Sequence, residues 1–441
     1  MKIKLIGMFV CMLFFITNIS VSGSVYINEN NLQYQCESSK SLDVDWWPQF
    51  QHDPENTGFS TSTAPNNKNI LWSYTEKNGG FVSPIVADGK VFVGSMGYRG
   101  NDFQGKIYCF NADNGELLWN FTPTGYELYA IPSYSNGKVF VGVCHWSNLH
   151  KGNWNELGDV YCLNADDGSL IWEYDGSIYV EGSISVIDEK VYVGGSVPDH
   201  GGLVLCLEAD TGDEIWNSDV SNDFIRDPVC VSGDYVYFCS SGRNVYCLNA
   251  LNGNKVWNYE TIGAAHSAPT VVDGKVYFGS QGYSVSPGPD INGAVYCLDA
   301  VTGKELWKNQ AKKFASVDAS SPAIVDGRIY IGAIGLPFIQ SGIRCLDATD
   351  GSIIWSRPTL GDVIKSPAVA DGKLFIPSMS TFLGIFYCVD MSSGLVKWRY
   401  FEFGFWTMFS SPAVANGRIY VGLSRGGGVI NHKGTLFCFG E

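Results

Sequence analysis

A twelve-residue phrase, YCLNALNGNKVW at residues 246–257, constrains the chain most, because it returns at fixed spacing. Each full copy has a Cys, a Gly six residues later and a Trp ten residues after the Cys. The copies are Cys109/Gly115/Trp119, Cys162/Gly168/Trp172, Cys206/Gly212/Trp216, Cys247/Gly253/Trp257, Cys297/Gly303/Trp307, Cys345/Gly351/Trp355 and Cys388/Gly394/Trp398. An eighth begins at Cys438 as FCFGE, and a matching Trp end stands at Ile70-Leu71-Trp72-Ser73-Tyr74. A unit that recurs this way makes one repeat architecture. It overrides the two or three domains that 441 residues would otherwise suggest.

Each unit reads as four short strands. It opens on Ser-Pro or an equivalent: Ser83-Pro84, Ile131-Pro132, Asp227-Pro228, Ala268-Pro269, Ser321-Pro322, Ser366-Pro367 and Ser411-Pro412, with Ser183-Ile184 in the third unit. A short apolar strand follows, then a two-residue turn: Asp88-Gly89, Asn136-Gly137, Asp273-Gly274, Asp326-Gly327, Asp371-Gly372 and Asn416-Gly417. Asp-Gly and Asn-Gly suit hairpins because both central residues need positive φ. The fourth unit has Ser232-Gly233 at this point and the third has the poorer Asp188-Glu189. A second strand, a loop of variable length and the Cys-bearing third strand come next, and the motif Gly turns into an outer strand ending at the Trp. Four antiparallel strands per unit, eight units and no helical period predict an all-β fold, an eight-bladed β-propeller of four-stranded antiparallel blades. The N-terminal strand at 70–74 completes the last blade, which removes a free sheet edge. The expected organisation is a signal peptide at 1–23, a lead-in at 24–69 and a single propeller domain at 70–441. In the lead-in, Trp46 and Trp47 are expected to cap one end of the core.

The repeat residues are assigned structural roles. Gly makes a turn, and Trp (Trp72 included) packs between sheets. The cysteines of neighbouring blades stand on the order of 13 Å apart at the spacing of β-strands, beyond the ~7 Å Cα limit of a disulfide. They are expected as unpaired, buried residues. Cys36, Cys144, Cys230 and Cys239 leave zero to two disulfides open. Eight thiols in an exported protein imply a low-oxygen habitat.

Only 17% of the residues are charged and the net charge is −15, so the chain repels phosphate backbones and nucleic acid is not an expected partner. Lys2 and Lys4, the apolar run at 5–16 and the small polar residues after it read as an export signal. The reading is of a secreted, cell-surface or periplasmic monomer with no membrane span after cleavage.

The pattern Tyr-x-Leu-Asp/Asn-Ala-x-x-Gly-x-x-x-Trp resembles the repeat of pyrroloquinoline quinone (PQQ) enzymes, and the likeness covers nearly all of residues 45–441. That family includes quinoprotein alcohol dehydrogenases, the BamB outer-membrane assembly lipoprotein and many exported proteins, and it implies an eight-bladed propeller. Its dehydrogenases carry an adjacent Cys-Cys pair over the cofactor, and this chain has none. Their calcium-binding Glu/Asn and catalytic Asp match no motif here, so none is carried over.

Function is expected on the face with variable loops. Residues just before each first strand ring the channel mouth there: Phe81, Tyr129, Glu181, Arg226, Asp227, His266, Asp318, Lys365 and Phe409. Charge mixed with aromatics suits a polar small ligand or a peptide. His145, Trp146, His150 and Trp154 form a candidate loop platform for sugar or peptide. The segment FEFGFWTMF at 401–409 packs between blades seven and eight, and any exposed part marks a binding surface. Six His without HExxH spacing give no metal site. The reading is a non-catalytic binding scaffold for protein, peptide or glycan, with no cofactor. One alternative is a PQQ- and calcium-dependent alcohol or sugar dehydrogenase. The other is a carbohydrate-active enzyme using Glu181 and Asp227.

Overall fold

Turn chemistry sets the inner hairpins. Asp88, Asn136, Asp273, Asp326, Asp371 and Asn416 sit at φ of 48–50°, each followed by a Gly at 67–75°. Both central residues are left-handed, as the twist of a two-residue hairpin requires. Blade three makes the same turn with Asp188 at 49° and Glu189 at 60°. In blade four Ser232 pairs with Tyr235, so the turn is Gly233-Asp234 rather than Ser232-Gly233. Gly takes its first position with φ of 55°.

The computed structural model describes residues 44–441 except 78, 97–104, 124–130, 145–157, 177, 198–200, 222, 283–292, 311–319, 335–340 and 427–432. These residues form strands and turns, with no helix long and apolar enough to cross a membrane. Eight antiparallel sheets surround an axis. Blade one is Ile85–Ala87, Lys90–Met96, Lys106–Asn111 and Leu117–Phe121, from the axis outward. Blade eight is Ala413–Ala415, Arg418–Arg425 and Lys433–Gly440, and Asn69–Lys77 supplies its outer strand. Trp72 stands opposite Cys438, as Trp119 stands opposite Cys109 and Trp398 opposite Cys388. The closing strand therefore keeps the repeat register.

Each motif Gly does more than turn the chain. All seven have φ of 70–75°, and a Cβ on any of them would lie 2.5–2.8 Å from the indole of the preceding blade. The indole thus lies flat on bare backbone. At seven of the eight junctions its N–H donates to the carbonyl three residues past the next blade's Cys, over 3.0–3.2 Å. Trp72 reaches Ala112, Trp119 Ala165, Trp172 Ala209, Trp216 Ala250, Trp257 Ala300, Trp307 Ala348 and Trp355 Met391. At the eighth, Trp398 Nε1 has no acceptor among the described residues.

The motif places each Trp at the end of its outer strand, and here the structure differs. Trp216 lies inside Glu214–Ser221, Trp257 inside Lys255–Glu260, Trp307 inside Glu305–Asn309 and Trp355 inside Ile353–Pro358. These strands run on because the third strand extends to the N-terminal side of its Cys and still needs a partner there. Val245 pairs with Tyr259 beyond the Cys247–Trp257 pair, and Ile343 with Arg357 beyond Cys345–Trp355. Burial also varies along the rim. Trp216, Trp257 and Trp355 are buried, whereas Trp307 and Trp398 are only half-buried.

The eight repeat cysteines, Cys109, Cys162, Cys206, Cys247, Cys297, Cys345, Cys388 and Cys438, are fully buried thiols. Burial pushes them up to about 12, or about 11 at Cys297 and Cys345. Since the thiolate is the reactive form, burial itself protects them. Cys230 and Cys239 are buried thiols too. Cys144 is buried beside Tyr179, and Cys36 lies outside the described residues.

The lead-in is a plug. From Trp47 onward it circles the axis and meets the blades in order. Trp47 exchanges two backbone bonds with Val86 in blade one. Pro48 O then accepts from Tyr134 N–H, Gln49 Oε1 from Val186, Pro54 O from Val231, Glu55 O from Val271, Thr57 O from Ile324 and Gly58 O from Val369. Ser62 Oγ accepts from Gly417 in blade eight. The inner strands of blades one to seven thereby each gain a partner, which a buried backbone requires, and blade eight is held at its inner turn. The tight coil uses positive φ at Gln51, His52, Asn56 and Gly58. Trp47 is 2% exposed and belongs to the core, and the half-buried Trp46 packs against it.

Candidate functional site

Because the plug fills the channel at the level of the inner strands, the mouth above it becomes a blind cup of about 290 Å³. Its walls are the residues that enter each inner strand, and Phe50 of the plug lines it from below. The mouth divides into two arcs.

One arc is built on serine. Ser411 N–H donates to Ser83 Oγ (3.1 Å), Ser366 N–H to Ser411 Oγ (3.0 Å), Ser321 N–H to Ser366 Oγ (3.1 Å) and Ala268 N–H to Ser321 Oγ (3.0 Å). The Ser of the opening Ser-Pro therefore links one blade to the next through blades five, six, seven, eight and one. All four serines line the cup.

The other arc, in blades three to five, is charged. Gly182 allows close approach here, since a Cβ would lie 2.7 Å from the Asp227 carbonyl carbon. Glu181 Oε2 pairs with Arg226 Nε at 3.3 Å and its Oε1 accepts from Tyr179 OH at 3.1 Å. Burial pushes the Glu181 carboxyl up, against the opposing pull of Arg226 and Tyr179. His266 Nδ1 lies 3.8 Å from Asp227 Oδ2. Lys365 enters the cup from blade seven. Burial pushes its ammonium down, opposed by the charge of Asp227.

Phe81, Glu181, Arg226, Asp227, His266 and Lys365 thus meet around one cavity. Phe409 is instead 1% exposed and packs on Phe386 and Phe437, because it points between blades seven and eight. Met408 takes the lining position beside it. Tyr129, Asp318 and the platform of His145, Trp146, His150 and Trp154 lie outside the described residues. The repeat tryptophans, Trp216, Trp257, Trp307 and Trp355 among them, stand on the outer strands and line no part of the cup. Sequence reading missed Met96, Phe50 and the serine arc. The Ser-Pro recurrence was the available signal for the serines, and Phe50 had none.

The segment 401–409 splits by role. Phe409 is core, while Phe401, Phe403, Phe405 and Trp406 are exposed. Phe382, from the strand two to three loop of blade seven, joins them with its ring 5.6 Å from Phe405. Trp406 has φ of +49°. It is fixed there by Trp406 N–H to Thr381 O at 2.7 Å and Gly426 N–H to Phe405 O at 2.8 Å.

The cup does not fit PQQ. Among the described residues no Trp lines the cup, and the sequence has no adjacent Cys pair. Among the described residues no group of three or more His, Cys, Asp or Glu is placed to hold calcium.

The family model described as outer membrane protein assembly factor BamB matches residues 156–288 and 291–433. BamB of Yersinia pestis is 27% identical over 126 residues, covering 27% of this chain and 30% of its own length. Tetrathionate hydrolase of Acidithiobacillus ferrooxidans is 21% identical over 353 residues, covering 74% of this chain and 58% of its own. The chain thus spans less than two thirds of the length of either relative. Among solved structures, a europium-containing methanol dehydrogenase superposes with TM-score 0.67 at 14% identity, over 90% of this chain and 98% of that one. The computationally designed Ika8 protein gives 0.64 at 12%, over 85% and 100%. At such identities these structures share the fold.

Proposed function

The chain belongs to the family of the outer membrane protein assembly factor BamB, and on that premise we propose that it is an exported scaffold that binds a partner protein on the loop face of its propeller. The exposed aromatic cluster carries the reading. Phe403 is 72% exposed, Phe382 67% and Trp406 51%. A soluble surface rarely gathers such rings without a partner, and aromatics dominate the buried centres of protein interfaces. Trp406 also holds a backbone conformation unusual for a bulky residue. Such strain persists where surrounding bonds impose it, often at binding sites. The opposite face offers short uniform turns and no comparable cluster among the described residues. Export is proposed from the charged and apolar pattern of residues 2–16.

The test is site-specific photo-crosslinking in cells. A crosslinker at Phe405 is expected to trap one protein, and one at the exposed Leu251 on the turn face is not. Binding of that protein, once purified, should weaken by about 2 kcal/mol or more in Trp406→Ser. Equal trapping from both faces, or unchanged affinity in Trp406→Ser, removes the reading.

A further inference from the structure

We propose that the cup at the channel mouth binds a small oxyanion, the carboxylate, sulfonate or phosphate group of a short acid, between the Lys365 ammonium and the hydroxyls of Ser83, Ser321, Ser366 and Ser411. The argument is one of unmatched donors. Each of these four serine oxygens accepts a backbone N–H from the neighbouring blade. That bond fixes the oxygen and leaves its own O–H to donate, since a hydroxyl is both donor and acceptor. None of the four hydroxyls has an acceptor among the described residues. Lys365 adds three N–H donors, and no ion pair or hydrogen bond engages them there.

Ser410, beside the arc, shows the contrast. Its Oγ accepts from Gly422 N–H at 2.9 Å and donates to Ser411 O at 3.1 Å, so it is used in both directions. The same fold therefore satisfies a serine fully where the role is structural. On the opposite wall Glu181 is engaged by Arg226 and Tyr179, while Asp227 stands 3.8 Å from His266 Nδ1 and its charge reaches Lys365 without a direct ion pair. What the serine arc lacks is a group that only accepts, and an oxyanion is that group. Charged partners also make the stronger hydrogen bonds.

Size and wall chemistry narrow the ligand. The cup of about 290 Å³ has room for about ten waters at their share of the liquid, hence a molecule of similar heavy-atom count. Phe50, Phe81 and Met408 offer apolar surface to its remainder.

Calorimetry on the purified full chain tests this, using butyrate, succinate, sulfate and phosphate as probes and butyramide as the neutral control. At least one oxyanion is expected to bind with Kd below about 1 mM, and butyramide is expected not to bind. Preference for butyrate or succinate marks an organic acid, and preference for sulfate or phosphate an inorganic one. Lys365→Met, which keeps the side-chain volume, should weaken the winning probe by roughly tenfold or more, the effect of one lost charge-assisted bond. Ser366→Ala should weaken it less, and Trp406→Ser not at all, which separates this site from protein docking. No saturable oxyanion, or equal affinity in a folded Lys365→Met, overturns the proposal.

Discussion

At the rim, the indole N–H of Trp119 crosses from blade one to the carbonyl of Ala165 in blade two. At the axis, the amide of Tyr134 in that same blade two reaches the carbonyl of Pro48 in the plug. Both bonds seal buried polar groups, yet they are organised differently. Blades diverge outward, so every junction leaves the same wedge, and one Trp on one Gly fills it each time. Blades converge inward, so the axis leaves a single channel shared by all of them. One non-repeating segment fills that channel with a different residue at each blade. Repetition therefore suits the rim, and only a unique sequence can fill the axis.

The largest effect should follow from opening a rim wedge. Trp172 is 8% exposed, bonds Ala209 O at 3.0 Å and lies on Gly212. Trp172→Ala is expected to cost about 3–5 kcal/mol in denaturant unfolding. Trp172→Phe should cost about 1–2 kcal/mol more than Trp398→Phe, whose N–H has no acceptor among the described residues. Equal costs would mean that the rim is held by ring area alone.

The axis has its own clamp. His52 Nε2 lies 2.9 Å from Asp45 Oδ1 and Nδ1 lies 3.1 Å from Asp53 Oδ2. Burial alone would lower the imidazole, but the bonds to both carboxylates outweigh it and raise it from 6.5 to about 9. Asp45 is likewise drawn below the usual carboxylate range, burial opposing and His52 prevailing. A raised pKa means stability that is complete below 6.5 and is lost as pH climbs through 9. Asp45 adds stability present above its ordinary value and lost as pH falls. His52→Gln should remove the alkaline fall, on the order of 2 kcal/mol between those limits. A wild-type curve that stays flat from pH 6.5 to 9 would deny the clamp.

The division between rim and axis also decides how much was legible in the sequence. Cys, Gly and Trp recur, so their spacing reveals strand order, closure by Ile70–Trp72 and even the burial of the thiols. It does not reveal where an outer strand stops, since pairing past Trp216 or Trp355 depends on loop-side residues that do not repeat. The mouth was legible in part, because Glu181, Arg226, Asp227, His266 and Lys365 precede strands whose place the repeat had fixed. Phe409 misled, since a one-residue offset along a strand exchanges the two faces, and Met408 took the lining position. The plug was not legible. Its contacts with Val86, Val231 and Val369 occur once each, and a contact made once leaves no period. The turn of blade four was misplaced by one residue because Ser232-Gly233 imitates Asp-Gly.

The smallest effect belongs to the one inner turn where the repeat lapses without a change of geometry. Glu189 holds φ of 60° in the position that Gly89 holds at 70°. Both carbonyls accept the same bond, Ala209 N–H in one blade and Ala112 N–H in the other, each at 2.9 Å. The Glu189 side chain is exposed, so its main cost is the left-handed backbone, about 1 kcal/mol for a residue with a Cβ. Glu189→Gly should recover that, less the greater freedom glycine gives the unfolded chain, for a net gain of about 0.5 kcal/mol. The mirror change, Gly89→Glu, should destabilise by a similar amount, because a Cβ there meets nothing within 4 Å and only the dihedral is at stake. If the two changes fail to oppose each other in thermal unfolding, these turns are set by their neighbours rather than by glycine. The axis would then depend on the plug for its geometry as well as for its hydrogen bonds.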